Sequence, residues 1–127
     1  MDAHVEAMVK SLVAVAWADG RMDTEERDVF EALVSAFQLS ADDTKAVRAY
    51  ASTPRSMSDV PVTQLSESDR RQVLQHAVII TFVDGEQSET ERAVIQQLIG
   101  TLGIPADEAA EIIKGAEKRA QRLVALR

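Results

Sequence analysis

A chain of 127 residues with no cysteine, 21 acidic and 14 basic side chains and a net charge of −7 already limits the fold and the function. Its apolar content of 46% and its length suit one globular domain with a substantial core. The absence of cysteine excludes a disulfide scaffold, a zinc ribbon and thiol catalysis. The acidic balance disfavours nucleic-acid binding, which needs clustered Lys and Arg.

The sequence has no segment typical of export or membrane insertion. Its longest apolar run, residues 12–18, is far shorter than the roughly 20 residues that a membrane-spanning helix needs. The opening sequence MDAH lacks the basic segment and apolar stretch of a signal peptide. We therefore expect a cytoplasmic protein without direct membrane contact.

Apolar residues in the first part of the chain recur at the three- and four-residue spacing of helices. The first predicted helix carries Val5, Met8, Val9, Leu12, Val13, Ala16 and Trp17. The second carries Val29, Phe30, Leu33, Val34 and Phe37. A third is predicted to begin after Ser40, a favourable N-cap residue, and carries Val47 and Tyr50.

Residues 52–65 contain Pro54, Pro61 and several serines, a composition typical of a connector. Helical spacing then resumes with Val73, Leu74, Ala77, Val78, Thr81 and Phe82. The β-branched run 78–83, taken alone, would favour a strand. A fifth helix carries Val94, Ile95, Leu98, Ile99 and Leu102. A sixth is predicted to start with Pro105 at its first position and carries Ile112, Ile113, Ala116 and Leu123.

The chain matches itself at an offset of 65 residues without a gap. The segment VAVAWADGRMDTEERDVFEALVSAFQL begins at Val13, and VIITFVDGEQSETERAVIQQLIGTLGI begins at Val78. In this alignment the two Asp-Gly pairs coincide, and so do two Glu-Arg pairs. The match favours a helical assignment for 78–83, because the corresponding first segment is rich in alanine.

We therefore predict an all-α domain of about six to seven helices, built from two halves related by a pseudo-twofold axis. Repeat one covers about 1–51, the connector 52–65, and repeat two about 66–127. Because a unit of about 60 residues would be marginal alone, we expect a single domain over 1–127.

Acidic residues are concentrated around both Asp-Gly pairs. If the pseudo-twofold axis brings the two loops to one end of the molecule, four carboxylates converge there: Asp19, Glu26, Asp84 and Glu91. Several carboxylate oxygens held together are what a hard divalent cation requires, which favours Ca²⁺ or Mg²⁺ over Zn²⁺ or Cu²⁺. A normal EF-hand is excluded, because its first and third ligand positions would be apolar residues such as Val15 and Trp17.

Helix capping is the competing interpretation of these acids. The spacings Asp23-x-x-Glu26 and Ser88-x-x-Glu91 both suit a capping box. Acids in a first helical turn also gain from the helix dipole. Capping explains Glu26 and Glu91 well but gives Asp19 and Asp84 only a loose role, so both interpretations stay open.

A helix, an Asp-Gly turn and a Glu-bearing amphipathic helix, occurring twice over 65 residues, resemble the tellurite-resistance TerB family. The segments AVAWADGRMDTEERDVFEALVSAFQLS and AVIITFVDGEQSETERAVIQQLIGTLGI carry the resemblance. It implies an all-α TerB-like domain without enzymatic chemistry, acting in stress resistance and in complexes with membrane-bound partners. It also implies a metal site near the Asp-Gly turns, on Asp19, Glu26, Asp84 and Glu91. Ser88 stands where the first copy has Asp23, a departure from a symmetric two-metal site.

Two alternatives to a metal-binding scaffold follow from the residues. An enzyme would use Asp19 and Asp84 as a carboxylate pair, but the chain has few aromatic residues to line a substrate cleft. A metal-independent protein-interaction or homodimerisation module would use the C-terminal stretch, which has basic residues at Lys114, Lys118, Arg119 and Arg122.

Three further side chains are expected to have packing roles and not binding roles. They are Trp17, Phe82 and a half-buried His76.

Overall fold

The structure, a computed structural model, describes residues 2–18, 24–82 and 89–125, without the side chains of 24–26, 29, 33 and 123–125. In these ranges the chain forms six α-helices: α1 (Ala3–Ala16), α2 (Thr24–Ser35), α3 (Ala41–Ala51), α4 (Glu67–Thr81), α5 (Glu89–Leu102) and α6 (Ala106–Ala125). Two short 3-10 helices, Met57–Asp59 and Val62–Gln64, lie between α3 and α4. No strand occurs in the described ranges, and the predicted all-α class is confirmed.

Polar side chains fix the starts of several helices. The Ser40 hydroxyl accepts a hydrogen bond from the Asp43 amide at 3.1 Å, which confirms the predicted N-cap of α3. At the start of α4, Ser66 and Asp69 form a reciprocal capping box. Pro105 lies one residue before α6 rather than in its first turn, and its carbonyl accepts the bond from the Ala109 amide at 2.8 Å.

The β-branched run that would favour a strand is helical up to Thr81. Its members from Val78 to Thr81 are all buried, so tertiary packing around α4 outweighs their intrinsic preference. The Thr81 hydroxyl is satisfied locally, since it donates to the Val78 carbonyl at 3.0 Å. Helix α4 packs against α1, α2, α5 and α6 and is therefore the central element.

One hydrophobic core contains side chains from both sequence halves. Leu12 of α1, Leu74 of α4 and Leu98 of α5 are fully buried in the same cluster. Val60 and Leu65 of the connector are buried there as well. The connector therefore contributes core side chains in addition to joining the two halves.

Helix boundaries recur at the predicted offset. Helices α1 and α4 end at Ala16 and Thr81, and α3 and α6 begin at Ala41 and Ala106. Both α2 and α5 are followed by a residue in the left-handed region: Gln38 at φ 56° and Gly103 at φ 70°, 65 positions apart. The order of elements thus repeats, while the pseudo-twofold relation between the halves stays a prediction.

Arg70 links three parts of the fold. Its guanidinium donates to the carbonyls of Leu65 at 3.2 Å, Val62 at 3.0 Å and Leu102 at 3.1 Å. The first two belong to the connector, and the third is the last residue of α5. One side chain therefore joins α4 to the connector and satisfies an orphan carbonyl at a helix end.

Candidate functional site

The four predicted metal ligands lie at or next to the two Asp-Gly loops. Asp19 and Asp84 are outside the described residues. Glu26 lies in the first turn of α2, where its side chain is not described. Glu91 lies in the first turn of α5 and is half-buried. The convergence of these carboxylates therefore stays a prediction.

The helices that lead into the two loops are each followed directly by an aromatic residue. Trp17 follows α1, is half-buried against the core, and donates its indole N–H to the Ala51 carbonyl at 2.8 Å. Phe82 follows α4, packs against the same core, and lines a cavity of about 250 Å³ with Ile95 and Ile113. The predicted packing role of both residues is confirmed, and for Trp17 it includes a bond to the last residue of α3.

The N-terminal ends of α1 and α4 are in contact through a side-chain hydrogen bond. His4 Nδ1 lies 3.0 Å from Asp69 Oδ2, and the two residues are 65 positions apart. Burial alone would raise the pKa of Asp69, but hydrogen bonds from Ser66 and His4 outweigh it and hold this pKa below its ordinary value. The two helices that precede the acidic loops thus start side by side.

No group of three or more metal-ligating side chains occurs within the part of the chain that the structure describes. Several acids there have basic partners instead. Glu6 pairs with Lys10 at 3.0 Å, and Glu31 pairs with Arg48 at 3.1 Å. Glu108 of α6 pairs with Arg71 of α4. Because these acids are already in ion pairs on helix surfaces, they are poor candidates for metal ligands. The four carboxylates predicted from the sequence therefore stay the candidate ligands.

His76 of α4 is half-buried, as predicted. Its Nδ1 atom is buried without a hydrogen-bond partner among the described groups, and its ring lies edge-on to Phe37 at 6.4 Å between centroids. Burial, assisted by the positive charge of Arg119, holds the pKa of His76 below its ordinary value. A neutral imidazole in this setting serves packing between α4, the end of α2 and α6.

A largely apolar cavity of about 220 Å³ lies between α1 and α3. It is lined by Glu6, Val9, Lys10, Ala46, Val47 and Tyr50. The Tyr50 ring is flanked by Arg55, whose guanidinium carbon lies 3.6 Å from the ring centroid, and by Lys10 at 5.4 Å. The two charged lining residues, Glu6 and Lys10, pair with each other at 3.0 Å.

A family model described as "Tellurite resistance protein TerB" matches residues 5–114. The chain belongs to the TerB family. The TerB match includes both Asp-Gly loops and α1 to α5 almost completely, and it ends within α6. No curated protein and no solved structure matches the chain.

In this TerB domain, α6 is the longest described helix and extends past the matched region. Its cations Lys114, Lys118, Arg119 and Arg122 are all exposed. The buried stripe of α6 consists of Ala109, Ala116 and Ala120. Among the described helices of the TerB domain, none combines the length and hydropathy of a transmembrane span.

Proposed function

We propose that this TerB domain is a non-enzymatic binding module that takes a divalent cation, Ca²⁺ or Mg²⁺, at its two acidic loops. The ligands would be Asp19, Glu26, Asp84 and Glu91. The module would act in the cytoplasm, with a protein partner in a stress-response or membrane-associated complex. The family match, which covers both Asp-Gly loops, is the observation that carries this proposal.

The packing of α1 and α4 supports a shared site. These helices pack against each other, and their N-terminal ends are joined by the pair of His4 and Asp69. Each leads into one acidic loop after 14 or 15 helical residues. Helices of similar length that start together favour loops that lie toward one end of the molecule.

Charge chemistry also supports a cation in the loops. Residues 19–31 contain six acids, and residues 84–91 contain four. Clustered carboxylates repel one another unless a positive charge is supplied. Arg27 and Arg92, which are adjacent in sequence to Glu26 and Glu91, have exposed side chains. A hard cation with oxygen ligands would neutralise the cluster more completely than two solvated guanidinium groups.

Calorimetric titration of the EDTA-treated protein with Ca²⁺, Mg²⁺ and Zn²⁺ tests the metal site. We expect saturable binding of Ca²⁺ or Mg²⁺ that Asp84→Asn weakens at least tenfold. Asp42→Asn is the matched control, because Asp42 is an exposed acid in the first turn of α3. If no binding heat is detected at millimolar ion concentrations, or if both variants lose affinity equally, helix capping is the remaining role of these acids.

The exposed cations of α6 favour a second candidate, a metal-independent interaction or homodimerisation module. Long-range attraction of an acidic surface to these cations would depend on salt and not on a divalent ion. Partner binding that persists in EDTA but falls between low and high salt would support this candidate. Partner binding that requires Ca²⁺ or Mg²⁺ would support the first.

A further inference from the structure

Gly115 is an unexplained glycine in the interior of α6. Glycine destabilises a helix interior relative to alanine, so its presence calls for a local reason. Its backbone does not have the positive φ that is found at Gly103. A Cβ atom built on Gly115 would meet nothing within 4 Å, and the residue is exposed. Nothing in the described part of this chain therefore requires glycine here.

On the face of α6 that contains Gly115, at helical spacings of four, seven and eight residues, the charges change sign at the glycine. Asp107 and Glu111 precede it, and Arg119 and Arg122 follow it. All four side chains are exposed, and none forms an ion pair with another described side chain. Glu111 and Arg119 are each four residues from Gly115, about 6 Å along the axis at the helical rise of 1.5 Å per residue.

A groove runs beside Gly115, between α4 and α6. Its volume is about 310 Å³, and Gln72, Gln75, Glu111, Ile112 and Gly115 contribute to its lining. Ile112 is only half-buried at this place. A helix crossing at Gly115 would cover the groove and could approach closely, because no side chain stands at the crossing point.

We propose that two copies of this chain associate through an antiparallel crossing of their α6 helices, centred on Gly115. Antiparallel placement puts Glu111 beside the partner's Arg119 and Asp107 near the partner's Arg122. A twofold interface repeats each contact, so that four ion pairs form around the axis. Close approach at Gly115 lets these side chains meet across the interface.

A second copy fits this face better than an acidic peptide or an anionic lipid surface does. The face carries acids on one side of Gly115 and cations on the other, so an occupant of uniform charge meets repulsion along half of it. A second copy presents the reversed order and matches both halves. Because one helix pair buries less than the ~1,200 Å² of a stable interface, we expect weak association, with a dissociation constant on the order of 10–100 μM.

Analytical ultracentrifugation in EDTA tests the dimer independently of the metal site. From about 10 μM to about 1 mM protein, we expect the average mass to rise from 13.9 kDa toward twice that value. High salt should weaken association at least tenfold, because the paired charges are solvent-exposed. A monomeric mass throughout this range would overturn the proposal, and would leave the metal site unaffected.

Charge-reversal variants test the proposed register of the two α6 helices. Glu111→Arg alone and Arg119→Glu alone should each abolish dimers, because each places like charges opposite each other across the axis. A one-to-one mixture of the two variants should restore them, because both pairs then become attractive. Circular dichroism should show unchanged helix content, since both positions are exposed. Dimers in each single variant, or their absence in the mixture, would contradict the proposed register.

A pair of glycine variants tests the crossing point. Gly115→Ala should weaken association about tenfold, because its methyl group separates the two helices. Gly100→Ala is the matched control, since Gly100 is also helical, exposed and surrounded by open space. It should leave the dissociation constant unchanged. If Gly115→Ala has the same dissociation constant as the wild type, the helices do not cross at this residue.

Discussion

Gln38 adopts a backbone conformation that is unfavourable for glutamine. Its φ of 56° lies in the left-handed region, where glycine is favoured and other residues are strained. The corresponding position after α5 is Gly103, whose amide donates to the Ile99 carbonyl at 3.0 Å to close the helix. The second half of the chain therefore has the residue that this helix end requires, and the first half does not.

Gln38→Gly should stabilise the protein by about 0.5–1 kcal/mol, because glycine removes the strain at this helix end. Urea denaturation followed by circular dichroism measures the change in the free energy of unfolding. Gln97→Gly, at an exposed position inside α5, is the matched control and should destabilise by about 1 kcal/mol. Equal destabilisation by both substitutions would show that Gln38 is not strained.

His76 makes the stability of the fold depend on pH. Its pKa is below the ordinary value of 6.5 in the folded state, so the unfolded chain binds more protons as the pH falls below about 6.5. The stability that His76 provides is therefore complete above that pH. It is lost progressively as the pH falls from 6.5 toward the folded-state pKa.

His76→Gln should flatten this part of the pH profile, because glutamine does not titrate. The measurement is the free energy of unfolding of both proteins between about pH 7.5 and about pH 5, a range that spans the ordinary histidine pKa. The wild type should lose stability relative to the variant as the pH falls. Two profiles that stay parallel over the whole range would contradict the assignment.

At the scale of elements, hydrogen bonds and buried side chains join the helices to the connector. Arg70 donates to carbonyls of the connector and of the end of α5. The adjacent Arg71 instead pairs with Glu108 on the surface of α6. The two neighbouring arginines thus have different tasks, because Arg70 bonds carbonyls outside α4, whereas Arg71 pairs with a solvated carboxylate and donates to the Glu67 carbonyl of its own helix.

Arg70→Lys should cost roughly 2–3 kcal/mol of stability, because a single ammonium group cannot reach three carbonyls in different directions. Arg71→Lys should cost clearly less than Arg70→Lys, since exposed ion pairs contribute little. Chemical denaturation of both variants under the same conditions gives the comparison. Losses of equal size would mean that the three carbonyl bonds of Arg70 contribute little.

For the whole molecule, periodicity and the internal repeat predicted the helices well, because apolar stripes and caps such as Ser40 are local signals. The match to the first repeat correctly overrode the strand preference of Val78. The connector was harder to predict, because the burial of Val60 and Leu65 depends on 3-10 turns too short to show a period. The role of Arg70 was not predictable, since its acceptors are set by tertiary packing and have no spacing in sequence.

The candidate metal site was predicted from residue type and repeat alone. Its two aspartates lie outside the described residues. What the structure adds is the arrangement of the neighbouring elements, because the N-terminal ends of α1 and α4 are in contact and the aromatic residue before each loop packs against the core. Gly115 gave no signal in the sequence, because a helical glycine is informative only once its surroundings are known to be open. The basic residues of the C-terminal stretch were visible from the sequence, whereas the change of charge sign at Gly115 was not identified there.

Tb³⁺ luminescence sensitised by tryptophan tests the proposed metal site most directly. Tb³⁺ takes the oxygen ligands of Ca²⁺, and Trp17 is the single tryptophan of the chain, two residues before Asp19. Energy transfer falls steeply with distance, so only an ion bound beside Trp17 emits on indole excitation. We predict saturable emission that Ca²⁺ displaces and Asp84→Asn abolishes, whereas Asp42→Asn retains it. Emission that is absent, or equal in both variants, would contradict a cation site shared by the two acidic loops.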